Sequence, residues 1–121
     1  MEKILVVDDE LEILKIMRRF IVHLDYEPVV FDKWQEAMTE FSRHDFALVL
    51  LDVNMPDKDG FELAGEMKLE KPDQKIVIIT GLGPGSAYKY LSTKDVQVDD
   101  ILYKPFTFET MKTLFKKVLG S

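Results

Sequence analysis

The sequence predicts one α/β domain over residues 1–121: five strands alternating with helices, (βα)5, folded as a doubly wound parallel sheet covered on both faces. Three observations carry that prediction. Apolar runs of strand length alternate with helix-period patterns from end to end. The third run, Phe46 to Leu51, is apolar at nearly every position, the pattern of a parallel strand buried on both faces. Finally, three of the runs end on charge: Ile4 to Val7 on Asp8-Asp9-Glu10, Ala47 to Leu51 on Asp52, and Ile101 to Tyr103 on Lys104-Pro105.

After the first run, Ile13, Met17, Phe20 and Leu24 recur at helical spacing. Pro28 to Phe31 reads as a short second strand, and Asp32 is placed to cap a helix that turns Trp34, Ala37, Met38 and Phe41 inward. The central third strand follows. A loop over Val53 to Asp59 leads into a helix from about Gly60 to Leu69, with Leu63, Ala64 and Met67 inward, ended by Lys71-Pro72-Asp73. Ile76 to Ile79 is the fourth strand and finishes at Thr80-Gly81. Gly83-Pro84-Gly85 precedes a weakly amphipathic helix whose best apolar pair is Ala87 and Leu91. Asp99 to Tyr103 is the fifth strand. Thr107 then caps a last helix with Phe108, Met111, Phe115 and Val118 on one face.

Composition excludes several classes. Hydrophobic residues make up 46% of the chain and charged residues 31%, as in ordinary globular domains. No apolar stretch approaches bilayer-spanning length, and Met1-Glu2-Lys3 runs straight into a strand with no signal peptide before it, so a cytoplasmic location and no membrane partner are expected. The absence of cysteine removes disulfide frameworks and thiolate metal sites. A net charge of −6 argues against direct nucleic-acid binding, which needs clustered Lys and Arg.

Ligands of doubly wound sheets bind beyond the carboxyl ends of the strands, where Asp8, Asp9, Asp52 and Lys104 fall. Carboxylates gathered there repel one another, by roughly 4 kcal/mol per pair at about 4 Å and an effective dielectric near 20. A cation, a proton or a counter-ion must relieve them. Oxygen ligands without His or Cys favour Mg2+ or Mn2+ over zinc. Lys104 offers a point charge for an anion and Thr80 a hydroxyl. Cation plus anion suggests phosphoryl transfer, with Asp52 as the carboxylate able to form an acyl phosphate.

In this ordered set the chain resembles a response-regulator receiver domain of two-component signalling. The matching residues are Asp8-Asp9, then Asp52-Val53-Asn54-Met55-Pro56 with Gly60, then Thr80, then Lys104-Pro105-Phe106. The resemblance spans essentially the whole chain. It implies a five-stranded sheet of flavodoxin-like order 2-1-3-4-5 in a three-layer sandwich. It implies a signalling module rather than a conventional enzyme, one that promotes its own phosphorylation and dephosphorylation. Asp52 would accept a phosphoryl group from a phosphohistidine of a histidine kinase or phosphotransfer protein. Asp9, Asp52 and the backbone carbonyl of Asn54 would hold Mg2+, with Asp8 acting through a metal-bound water. Thr80 and Lys104 would contact phosphoryl oxygens and relay the change to an output domain or downstream protein. The resemblance leaves the oligomeric state open between a monomer and a phosphorylation-dependent dimer.

Two departures stand out. Ile101 occupies the position where the family usually carries Tyr or Phe, and Tyr103, two residues on, points to the same face of the strand. Gly81 replaces a common Ala, and Leu82 would flank the phosphoryl group and impede an attacking water, so changing Leu82 to Glu or Asn should alter the phosphoryl lifetime. The competing reading is a phosphorylation-independent pseudo-receiver that acts as a protein-interaction module. A small-molecule phosphatase of the Asp-nucleophile kind would want its nucleophile at the first strand and a cap, for which the chain has no insertion. A flavin-binding module would find Asp8-Asp9-Glu10 repelling its phosphate. His23 and His44 have no partners at metal-ligand spacing and read as solvated, Trp34 as core, and Lys112, Lys116 and Lys117 as complements to the last helix dipole.

Overall fold

The computed structural model describes residues 1–81 and 97–120. The sequence-predicted fourth helix, Leu82 and Ser121 lie outside the described residues. Five parallel strands form the sheet: β1 (Lys3–Val7), β2 (Glu27–Phe31), β3 (Leu48–Asp52), β6 (Ile76–Thr80) and β7 (Asp100–Tyr103), in the order β2-β1-β3-β6-β7. This is the flavodoxin-like 2-1-3-4-5 order among the long strands. A further pair of two-residue strands, β4 (Asn54–Met55) and β5 (Lys58–Asp59), makes an antiparallel hairpin inside what the sequence suggests is plain loop.

Alternation along the strands splits the core into two layers. Leu5, Val7, Val49, Leu51, Ile76 and Ile78 face α2 (Trp34–Arg43) and α3 (Gly60–Glu70). Ile4, Val6, Leu48, Leu50, Val77, Ile79 and Leu102 face α1 (Leu11–His23) and α4 (Phe108–Leu119). All five residues of β3 and of β6 are buried, as the continuous apolar runs require. β3 lies between β1 and β6, which places its carboxyl end at the middle of the sheet edge.

Helix ends follow local chemistry, with one correction. Asp59 caps α3 by accepting from the Phe61 N–H, and Thr107 caps α4 by accepting from the Thr110 N–H. Asp32 does not cap α2. The capping position is Lys33, in extended conformation, and no side chain bonds the first turn. Trp34 is half-buried rather than a core residue, packed on the edge of the α2/α3 layer with Lys58 Nζ 4.7 Å above its ring. His23 sits edge-on to Phe108, and His44 Nε2 lies 3.2 Å from Glu40.

Candidate functional site at the strand ends

The hydrogen-bond ladder of the sheet continues one residue into the site, and this fixes the site backbone. The Asp8 N–H donates to Phe31 O (3.1 Å), the Val53 N–H to Ile79 O (3.0 Å), and the Lys104 N–H to Thr80 O (2.7 Å). Asp8, Asp52, Thr80 and Lys104 are thereby presented side by side on the carboxyl edge. Gly60 closes the floor, its N–H donating to Val53 O.

Asp8 is fully buried, and Asp52 and Thr80 are only 3% and 2% exposed, whereas Asp9 is exposed. Each of Asp8, Asp9, Glu10 and Asp52 offers one carboxylate oxygen, and these four atoms lie within 4.8 Å of one another. Lys104 reaches into the cluster from β7. Its Nζ lies 2.8 Å from Glu10 Oε1, 3.2 Å from Asp8 Oδ2 and 3.7 Å from Asp52 Oδ1. Asp8 Oδ1 accepts from the Glu10 N–H at 2.9 Å, and Asp52 Oδ1 receives a long 3.4 Å contact from the Asn54 N–H. Among the described residues, Asp8 Oδ2 has no hydrogen-bond partner of good geometry despite the nearby ammonium.

The electrostatics follow from burial. Desolvation, reinforced by the Asp8 charge, pushes the Asp52 carboxyl up to about 7, against the pull of Lys104. Asp8 is raised as well, chiefly by its own burial. For Lys104, burial works to lower the ammonium pKa. The hydrogen bond to Glu10 and the charges of Asp8 and Asp52 outweigh it, so the group is held above its ordinary value. Such an edge lacks positive charge. Among the described residues one ammonium faces four carboxylates, and the buried Asp8 Oδ2 is held only by its 3.2 Å ion pair with that ammonium. An all-oxygen donor set of this kind fits a hard divalent cation such as Mg2+. Beside it runs an open groove of about 580 Å3, bordered by Asp9, Asn54, Met55 and Glu62, which gives a ligand access.

The model of the response regulator receiver domain matches residues 4–116. The chain belongs to the response regulator receiver domain family. Its relatives include a probable transcriptional regulator, ycf27, of Pyropia yezoensis, 33% identical over 98% of this chain. The chain spans only 47% of that protein's length. Among solved structures, the response regulator TrrA of Thermotoga maritima, in complex with Mg2+-BeF, superposes with a TM-score of 0.85. It is 33% identical and is covered over 98% of this chain and all of its own. The chemotaxis protein CheY4 of Vibrio cholerae superposes with a TM-score of 0.87 at 25% identity, over 98% of this chain and 99% of its own. The receiver is thus a signalling module of two-component systems.

The described strand ends place Asp8, Asp9, Asp52, Asn54, Thr80 and Lys104 along one edge of the sheet, while Leu82 lies outside the described residues. The structure adds Glu10, whose carboxylate is the nearest to the Lys104 ammonium among the described residues. The clue in the sequence was its place as the third acid after β1. Ile101 and Tyr103 are both half-buried, and register pairs Tyr103 with Thr80 but Ile101 with Ile78. Among the described residues, no helix is long and apolar enough to cross a membrane.

Proposed function

We propose that this receiver is a Mg2+-dependent phosphoacceptor whose phosphorylation site is Asp52. One observation carries the reading: Asp52 ends the central strand, nearly buried, inside a carboxylate cluster and 3.7 Å from a lysine ammonium. The ionised Asp52 carboxylate attacks the phosphorus of a phosphohistidine on a histidine kinase or phosphotransfer protein. A P–O bond forms, the P–N bond breaks and the imidazole leaves, giving an acyl phosphate. Asp9, Asp52 and the Asn54 backbone carbonyl are the groups that would hold Mg2+, with Asp8 acting through a bound water. When bound, the cation neutralises charge between the carboxylate and the incoming phosphoryl oxygens. Lys104 and the Thr80 hydroxyl take up the phosphoryl oxygens, which carry about −1.5 to −2 charges at pH 7. Their displacement passes the signal to an output domain or a separate target protein.

Ile101 keeps a second reading in view, a phosphorylation-independent interaction module, because it removes the aromatic from the usual switch position. The two part on one experiment. With Mg2+ and acetyl phosphate, intact-mass analysis should show one phosphate added to the wild type and none to Asp52→Asn. A wild type that stays unmodified by acetyl phosphate and binds no beryllofluoride, while still binding Mg2+, would sink the phosphoacceptor reading and favour the interaction module.

A further inference from the structure

The ammonium that should receive a phosphoryl group is already held, and most closely by a residue that has no part in the proposed chemistry. Glu10 Oε1 lies 2.8 Å from Lys104 Nζ, nearer than Asp8 or Asp52. The local chain explains the position. Asp8 Oδ1 accepts from the Glu10 N–H, which bends the backbone after β1 and sets Glu10 in extended conformation just ahead of α1. The Glu10 side chain is 58% exposed, while that of Lys104 is only 15% exposed. The acid side of this pair is therefore free to swing into solvent, and the lysine is not.

We propose that Glu10 is a latch on Lys104: it holds the ammonium in the unmodified site and gives it up when a phosphoryl group arrives. The inference rests on the phosphoacceptor reading and deepens it. A carboxylate of charge −1 and a phosphoryl group of about −1.5 to −2 charges compete for the same three N–H donors. The phosphoryl group wins on charge. The affinity of the site for it is reduced by the strength of the ion pair it must break. Glu10 thus acts through Lys104 as a positioning residue, raising the threshold for the switch and returning Lys104 to its resting place after the phosphate leaves.

The test uses beryllofluoride, with Mg2+ saturating, titrated calorimetrically into the whole protein, and Mg2+ alone titrated in parallel. Glu10→Gln keeps the shape of the side chain and removes its charge. It should bind beryllofluoride roughly twofold to fivefold more tightly, the upper range of a partly exposed ion pair. The gain should vanish when Glu10→Gln is placed in a Lys104→Met background, since a latch acts only through the lysine. Unchanged or weaker binding by Glu10→Gln overturns the latch, as does an equal gain in the Lys104→Met background, which would mark a general charge effect. A loss of Mg2+ affinity beyond about fivefold also overturns it, because Glu10 would then be a cation ligand. If the wild type binds no beryllofluoride at all, the phosphoacceptor reading falls and the latch falls with it. If the wild type binds and the Glu10 variant binds equally, only the latch is lost.

Discussion

A methyl group on residue 60 would sit inside the carbonyl of Asp52. A Cβ built on Gly60 overlaps the Asp52 oxygen and comes within 2.9 Å of both its carbonyl carbon and the Val53 Cα. All three are backbone atoms at the end of a buried strand and cannot step aside as a flexible side chain would. Gly60→Ala should therefore cost roughly 1 to 3 kcal/mol in urea denaturation, the usual range for overpacking. It should also weaken beryllofluoride binding, since the strand end carries Asp52, the proposed phosphoacceptor. A variant as stable as the wild type would show that α3 does not press on the site. The sequence displays Gly60 at a fixed distance from Asp52 but not the reason for it, which is a close approach between elements. Glu10 is similar: its bond to Lys104 joins residues 94 positions apart. Periodicity and local propensity carry no information about such a pair.

At the scale of elements, legibility depends on whether an end is settled locally. Thr107 bonds an N–H of the turn that follows it, and its cap is legible in the sequence; Asp59 caps α3 in the same local way, although in the sequence it reads only as the end of a loop. Asp32 has the right chemistry one residue too early, and the backbone chooses Lys33. The carboxyl end of α2 is instead satisfied from another helix. Lys71, at the end of α3, donates to the carbonyls of Phe41 and His44 and lies 4.4 Å over the Phe41 ring. Lys71-Pro72-Asp73 reads in sequence as a stop, and its second duty as a tie between α2 and α3 does not show. Lys71→Met keeps the packing on Phe41 and deletes both hydrogen bonds. It should lower stability by about 1 to 2 kcal/mol by urea denaturation, with beryllofluoride affinity unchanged because α2 ends at the opposite edge of the sheet from Asp52. An unchanged midpoint would show that water replaces the lysine without cost.

For the whole molecule, the site is a place where stability is given up. A net charge of −6 is carried by a fold whose buried strand edge concentrates carboxylates around one ammonium. Asp52 has its pKa raised from 3.8 to about 7, chiefly by burial. In the metal-free protein between about pH 4 and pH 7 the folded state retains a proton that the unfolded chain releases, so stability falls as pH rises through that window. Asp52→Asn removes the titrating group. In EDTA the variant should therefore melt higher than the wild type at about pH 8 and converge with it at about pH 4. Mg2+ should reverse the order. A cation bound only by the folded protein contributes about 2.7 kcal/mol at one hundred times its dissociation constant, roughly 10 °C for a domain of this size. Asp52→Asn, with one of the proposed carboxylate ligands gone, should gain much less. Thermal melts of both proteins across pH, with EDTA and with Mg2+, check each part. If the gap between wild type and variant in EDTA does not widen with pH, Asp52 ionises without penalty and desolvation does not govern the site. If it widens but Mg2+ does not close it, the charge strain is real and its relief comes from something other than the cation.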